Sequence, residues 1–426
     1  MSAHSSDSVQ RIRQYLDANL GSPVRDPLWG HIYLDKPMLQ LLYSQPVQQL
    51  NRIKQLGPTF MVYPGATHTR LNHSLGVLHL ARRMIRVLLT ANSAPRVTLE
   101  GVKSFLCAAL LHDVGHFPYT HSLKELPLLD HEQLTGRIIQ SDPIRSILKD
   151  IMHIDPAMTA AIVDLSLPDD GNDEIRFFRR ILSSPLDPDK LDYLNRDAYY
   201  CGVPYGIQDT DYVLSQIIPH PEFGIGLRES GLSALEHLLF SKYLMYRAVY
   251  WHRDVRIATG MIKKALYTNL QNGNLQPQQL YNLDDESFFA LLTNQPDARY
   301  MLIERVRQRR FFVTALEIPF SANNPAHSAL TDLATRTEIE QHIAELISAP
   351  LLIDIPEAIS FEIDMPVRVD DGWITYNQAR SVFTPEVVRD FTAALRLIRI
   401  AVDPSILPLS PAITTACMDI LNNGMG

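Results

Sequence analysis

The run Leu110-Leu111-His112-Asp113-Val114-Gly115-His116-Phe117-Pro118-Tyr119-Thr120-His121 constrains the fold more than any other stretch, because it sets three imidazoles and a carboxylate at the end of an apolar segment. Phe105 to Leu111 is too apolar for a solvated face and predicts a buried helix. Adjacent side chains on a helix diverge by about a third of a turn. His112 and Asp113 therefore reach one ion only at the helix end, where Gly115 and Pro118 stop it. Imidazole nitrogen and carboxylate oxygen are ordinary ligands for Zn, Mn, Fe or Mg. A lone pair of this kind would more often be Asp113 orienting His112 with no metal, but two further segments argue otherwise.

The first is Thr67-His68-Thr69-Arg70-Leu71-Asn72-His73-Ser74-Leu75-Gly76-Val77, opening an amphipathic segment that runs to about Leu89. The second is Pro188-Asp189-Lys190-Leu191-Asp192-Tyr193-Leu194-Asn195-Arg196-Asp197, with proline in the first helical turn beside a carboxylate. Taken in order, His73, His112-Asp113 and Asp189 resemble the HD-domain metal phosphohydrolases. Gln55-Leu56-Gly57, Pro64 to Arg70, His73 to Val77, His112-Asp113-x-Gly115-His116-x-Pro118-x-x-His121, His131-Glu132-Gln133 and Asp189-Lys190-x-Asp192-Tyr193 narrow the likeness to the deoxynucleoside triphosphate triphosphohydrolases, over residues 24 to about 260.

The resemblance implies one divalent ion (Mn, Mg, Fe or Zn) held by His73, His112, Asp113 and Asp189. It implies His131 as the proton donor to the leaving sugar oxygen, with His116 and His121 placing the phosphates and Asp113 shared between metal and catalysis. Arg70, Lys190 and Lys242 would bind the triphosphate. Gln55, Leu56, Tyr193 and Asp197 would line the deoxyribose, and Tyr250 would contact sugar and base. Tyr43 and Asn51 stand where mammalian members place the acid and arginine that read an activating guanine, and Arg25 replaces an asparagine of the neighbouring site. These departures argue against guanine-nucleotide activation by that route. The family likeness also implies a homodimer or homotetramer.

Composition narrows the alternatives. A formal charge of -8 over 426 residues gives no general basic footprint, so nucleic acid is not an expected partner, although a local basic pocket for phosphates is compatible with it. Cys107, Cys201 and Cys417 are odd in number and widely spaced, which fits a reducing cytoplasm and neither a disulfide framework nor a zinc finger. No segment offers the uninterrupted apolar length of a membrane span, and no signal core opens the chain.

The patterning predicts a mainly α protein. Residues 1–23 read as a disordered serine-rich tail to Gln10 followed by a short helix from Arg11 to Leu20. Residues 24–318 read as an all-helical HD-type core entered through a small strand pair at Asp26 to Leu34. One helix is expected from Met38 to Gly57, and a long one from about Gly231 to Tyr267 with Lys242, Tyr246 and Tyr250 on one face. In the Asp189 helix, residues 189, 193, 196 and 197 share a stripe that would face metal and nucleotide together. Residues 319–426 read as a small α+β appendage that contributes to a subunit interface. It has a helix at 329–346, strands at 351–355 and 359–363, and two closing helices.

The first functional reading is a metal-dependent hydrolase yielding deoxynucleoside and inorganic triphosphate. Hydrolysis of another nucleotide or analogue, or nucleotide binding in a regulatory protein without turnover, are the alternatives.

Overall fold

Chain order begins with α1 (Ala3–Asp17), which covers much of the expected disordered tail. Met1 and Ser2 lie outside the residues described by this computed structural model, which are 3–17, 21–91, 96–293, 300–359, 361, 363–370 and 372–424. Ile12 and Leu16 are buried, and Arg13 donates to the Leu89 carbonyl, so apolar residues at helical spacing outweigh the polar composition.

Strands β1 (Ser22–Asp26) and β2 (Gly30–Leu34) form the expected antiparallel pair. The helix expected from Met38 to Gly57 is broken into short turns at Lys36–Leu42, Gln45–Gln49 and Leu50–Arg52. Pro46 lacks the N–H that would carry the first turn onward.

The centre of the core is the pair α2 (Arg70–Thr90) and α3 (Leu99–Leu111). A reciprocal capping box between Thr69 and Asn72 fixes the start of α2, and hence the positions of Arg70 and His73. Helix α3 is buried without a break from Ser104 to Leu111. Around this pair lie α4 (His131–Ile139), α5 (Pro156–Val163), α6 (Asp173–Leu182) and α7 (Pro188–Cys201). Helix α7 packs on α2, α5 on α3 and α4, and α6 on α3, where the rings of Phe105 and Phe178 stack at 4.8 Å.

The long helix expected from Gly231 is two. Helix α8 (Leu232–Met245) runs into a turn of π-helix at Tyr246–Tyr250, breaks, and resumes as α9 (Arg253–Gln271). The wider turn disturbs the register that four-residue spacing assumes.

Two sheets complete the molecule. Strands β3 (Ile217–His220) and β4 (Gly224–Arg228) form a hairpin. After β5 (Val313–Pro319), helix α10 (Leu333–Ile347) and β6 (Leu351–Asp354), strands β7 (Pro366–Val369) and β8 (Gly372–Thr375) extend that hairpin into a sheet of order β3-β4-β7-β8, with β4 and β7 parallel. Strand β9 (Leu397–Val402) lies between β5 and β6 in an antiparallel sheet, which α10 and α11 (Pro411–Asn423) back through Ile339, Ile343, Cys417 and Leu421. The division expected at residue 318 thus falls inside β5. The strand expected at 359–363 does not form among the described residues. Ile359 and Phe361 instead bury their side chains in the helical core, while Ser360 and Glu362 lie outside the described residues.

Candidate metal and active site

Helix ends bring three of the expected ligands, His73, His112 and Asp189, into one group, with Asp113 beside it and turned toward His116 and Arg70. Nε2 of His73, in the first turn of α2, lies 2.9 Å from Oδ1 of Asp189, in the first turn of α7. His112 caps the C-terminus of α3, and its Nε2 is 3.8 Å from the same Asp189 oxygen and 3.4 Å from Oδ1 of Asp113. Nδ1 of His112 donates to the Ala109 carbonyl at 3.0 Å, which fixes the tautomer and leaves Nε2 bare. Among the described residues that buried nitrogen has no hydrogen-bond partner. A bare imidazole nitrogen within reach of two carboxylates and a second imidazole fits a divalent cation.

The local field favours a positive charge at this point. Burial disfavours a charged His73 ring, yet Asp189 and Asp192 override it and raise its pKa to about 10. Burial likewise opposes charge on Asp113, but His116, His112 and Arg70 hold its carboxyl well below the usual range.

Sequence reasoning assigned no role to Asp192, although it lies inside a matched motif. Its carboxylate accepts from Nδ1 of His73 at 2.8 Å, from the indole of Trp29, and twice from Arg196 at 2.8 and 2.9 Å. Arg196 also donates to Asp26 at 2.9 Å. A carboxylate behind a ligating histidine sets the ring's tautomer and orientation. Arg196 is completely buried in this network, so it does not face a nucleotide as its stripe on α7 predicts. Gly76 makes the network possible, since a Cβ there would lie 1.8 Å from Asp192 Oδ1 and 2.5 Å from Arg196 Nη2.

Asp113 joins this centre to a second group of histidines. Its Oδ2 accepts from Arg70 at 2.6 Å, and its Oδ1 lies 3.0 Å from Nε2 of His116. The rings of His116 and His131 stack at 4.0 Å, with His121 edge-on to both at 4.7 and 5.0 Å. Gly115 and Thr135 fix the approach of α4: the Gly115 N–H donates to the Thr135 hydroxyl, which donates to the His112 carbonyl. Burial first, then neighbouring cations, holds His116 and His131 well below the ordinary imidazole pKa, so both are neutral at rest.

A cavity of about 910 Å³ exposes the metal ligands together with His121 and His131. Gln55, Leu56, Arg70, Tyr193, Asp197 and Tyr250 also line it. Asp197 is clasped by His68 Nε2 and the Tyr250 hydroxyl, each at 2.8 Å, and the rings of Tyr193 and Tyr250 meet edge-on at 6.3 Å. His116 lies behind the wall. Two expected phosphate ligands are not among the lining residues. Nζ of Lys190 turns to Asp187 at 2.6 Å and to the Ser184 carbonyl at 3.2 Å. Lys242 is buried with its Nζ 5.7 Å from the centre of the Phe361 ring, while Tyr246 and Tyr250, beyond the π-turn, reach the cavity. Lys124, which sequence reasoning passed over, does line the wall, and its place beside His121 was the only available signal.

The appendage closes one side of the cavity. Arg256 of α9 makes a bidentate pair with Asp354 of β6 at 2.9 and 2.6 Å. Glu125, on the loop after His121, accepts from Lys263 of α9 and from Arg336 of α10, the latter at 2.8 Å. Glu125, Arg256, Lys263 and Asp354 all line the cavity.

Comparison with known proteins agrees with this arrangement. Residues 70–164 match the HD domain and residues 216–383 the HD associated region. An uncharacterized protein of Methanocaldococcus jannaschii is 33% identical over 305 residues, covering 71% of this chain and 61% of that protein. The deoxynucleoside triphosphate triphosphohydrolase SAMHD1 of Bos taurus is 27% identical over 273 residues, covering 57% of this chain and 46% of its own length. The chain therefore spans less than two thirds of these curated relatives. The crystal structure of a hypothetical protein from Aquifex aeolicus superimposes with a TM-score of 0.71 at 29% identity, covering 90% of this chain and 97% of that one. Among the described residues no helix is long and apolar enough to cross a membrane.

Proposed function

This chain is a member of the HD-domain phosphohydrolase family, and from that premise we propose that it cleaves deoxynucleoside triphosphates into deoxynucleoside and inorganic triphosphate. The observation that carries the reading is Asp113, which touches both halves of the site: His112 on the metal side, His116 and Arg70 on the phosphate side. A cation held by His73, His112, Asp113 and Asp189 would polarise a phosphoryl oxygen and lower the pKa of bound water. The donor set suits Mn, Fe or Zn, and a Mg ion could enter with the phosphates.

Arg70 offers a planar fork to the phosphate chain. Lys124 supplies a movable charge in place of Lys190 and Lys242, whose ammonium groups are directed elsewhere. His121 and His131 face the phosphates, with His116 stacked behind His131. Tyr193 packs against the deoxyribose, and Gln55 and Asp197 hydrogen-bond its 3′-hydroxyl. Gln55 Oε1 supports this reading, because among the described residues that buried atom has no partner.

Cleavage at the α-phosphorus adds water there and breaks the bond to the sugar's 5′ oxygen, which leaves with a proton from His131. Burial is the main cause that disfavours a charged His131, with neighbouring basic groups adding to it, and the negative charge of an arriving triphosphate works in the opposite direction, toward the protonated ring.

Hydrolysis in oxygen-18 water tests where the bond breaks. Label should enter the triphosphate and stay out of the deoxynucleoside. Label in the nucleoside, or orthophosphate as first product, would refute the assignment. His131→Ala should keep its metal by elemental analysis and lose turnover by about 10²–10⁴-fold, the usual worth of a general acid. Near-normal turnover across pH would remove His131 from that role.

A further inference from the structure

His68 is buried and stands behind the cavity rather than on its wall, yet both Gln55 and Asp197, which do line it, are attached to this one residue. Its backbone holds Gln55, whose N–H donates to the His68 carbonyl at 3.0 Å, and the Arg70 N–H donates back to the Ile53 carbonyl at 3.0 Å. Its side chain holds Asp197, 129 residues further on, whose Oδ1 accepts from Nε2 at 2.8 Å. Among the described residues Nδ1 has no partner, so the contact with Asp197 is the ring's one hydrogen bond there.

The surroundings fix that contact from three sides. The imidazole stacks on the Tyr200 ring at 4.6 Å, with 23° between the planes. A Cβ on Gly65 would come within 2.5 Å of the Tyr200 carbonyl oxygen, so the loop leading to His68 is seated directly on the end of α7. Tyr63, in the same loop, donates to the Ala248 carbonyl at 2.6 Å and ties it to the π-turn that carries Tyr250. The Tyr250 hydroxyl in turn donates to Asp197 Oδ2 at 2.8 Å. Each Asp197 oxygen therefore has one fixed donor. The pair stops the carboxylate from turning about its Cβ–Cγ bond and leaves each oxygen with further acceptor capacity.

We propose that His68 is the positioning residue for selection of a sugar 3′-hydroxyl, holding the Asp197 carboxylate and the Gln55 backbone in one fixed relation so that both meet the same group on the ligand. The proposal rests on the reading of the cavity as a deoxynucleotide site. A site that pairs a hydroxyl rejects the analogue lacking it, because its own buried polar groups are then left without a partner. That discrimination requires the acceptor to be aimed before the ligand arrives, by neighbours that are themselves locked in place. With the His68 donor gone, Oδ1 is released and the carboxylate is free to turn about the single anchor at Tyr250. The hydroxyl then gains little over a hydrogen at the same carbon.

Calorimetric titration of the full chain carrying His131→Ala, with Mn present, tests this through binding rather than turnover. The probes are 2′-deoxyadenosine triphosphate and its 2′,3′-dideoxy analogue. The parent should bind the deoxy form about tenfold or more tightly, the worth of a hydrogen bond to a charged acceptor. Adding His68→Asn, whose shorter amide falls short of Asp197, should shrink that preference to about threefold or less and leave the dideoxy affinity where it was. His68→Gln, whose amide nitrogen lies near the place of Nε2, should restore most of it. The readout is a ratio within one variant, so a partly unfolded sample lowers both affinities alike and does not imitate the effect. The proposal is overturned if His68→Asn keeps the parent's preference, or weakens both ligands equally as a purely structural prop would. A parent that binds both probes equally takes Asp197 off the hydroxyl and the proposal with it, whereas a parent that binds neither refutes the nucleotide reading of the cavity itself.

Discussion

Asp189→Ala should remove metal and turnover together while leaving the fold in place. Its Oδ1 is the oxygen that both His73 Nε2 and His112 Nε2 approach, at 2.9 and 3.8 Å, so alanine deletes a coordination position and the charge that balances a cation. The rest of α7 does not depend on it. Asp187 caps the helix by accepting the Lys190 N–H at 2.6 Å, and the like charge of Asp187 beside Asp189 makes the wild-type arrangement, if anything, the less comfortable one. Elemental analysis should show metal lost after dialysis, with turnover reduced at least about 10³-fold, the scale of losing a principal electrostatic stabiliser. The metal-free variant should melt below metal-free wild type but still cooperatively, because His73 loses the Asp189 carboxylate and keeps that of Asp192. Full retention of metal would place the ion elsewhere.

Gly76→Ala sets two effects of opposite sign against each other. Alanine in a helix interior is favoured over glycine by about 1 kcal/mol, so local propensity alone predicts a more stable protein. The new Cβ, however, would stand 1.8 Å from Asp192 Oδ1 and must push apart a network in which Asp192 and Arg196 are wholly buried. Breaking a buried ion pair costs about 3–5 kcal/mol, because each charge is left without solvent or partner. Sterics should win by a wide margin. Urea unfolding should show a net loss of about 2–4 kcal/mol. Metal affinity should fall about 10–100-fold as His73 loses the carboxylate that aims its ring. A variant as stable as wild type would show that α7 slides away from α2 without penalty.

How much of this was legible beforehand varies by kind. The ligands could be read because helix ends, proline and glycine stops, and short motifs are local signals; His112 sits at the C-cap its flanking residues predict. The network behind them could not. Arg196 shares a helical arc with Asp189 and Tyr193, but its partner Asp26 lies 170 residues away, and only tertiary packing brings that carboxylate in. Lys242 differs: the family resemblance put it at the phosphates, whereas the four-residue stripe alone favours a core position, and it is buried with its Nζ 5.7 Å from the centre of the Phe361 ring. In the appendage, Ile359 and Phe361 alternate like a strand yet bury against helices, whereas β5 and β9, 84 residues apart from Val313 to Leu397, pair with each other. Alternation records burial on one side, not the presence of a ladder partner.

Glu125 has a consequence for how the molecule opens. It lies four residues past His121 and is gripped by cations from α9 and α10. The loop that carries His116 and His121 cannot swing out without leaving those two cations half-buried and unmatched. Opening the loop therefore breaks one contact to the core helix α9 and one to the appendage, which couples the loop to both. Backbone amides around Phe117 to Leu126, though in a loop, should then exchange with solvent in step with the β5–β9–β6 sheet.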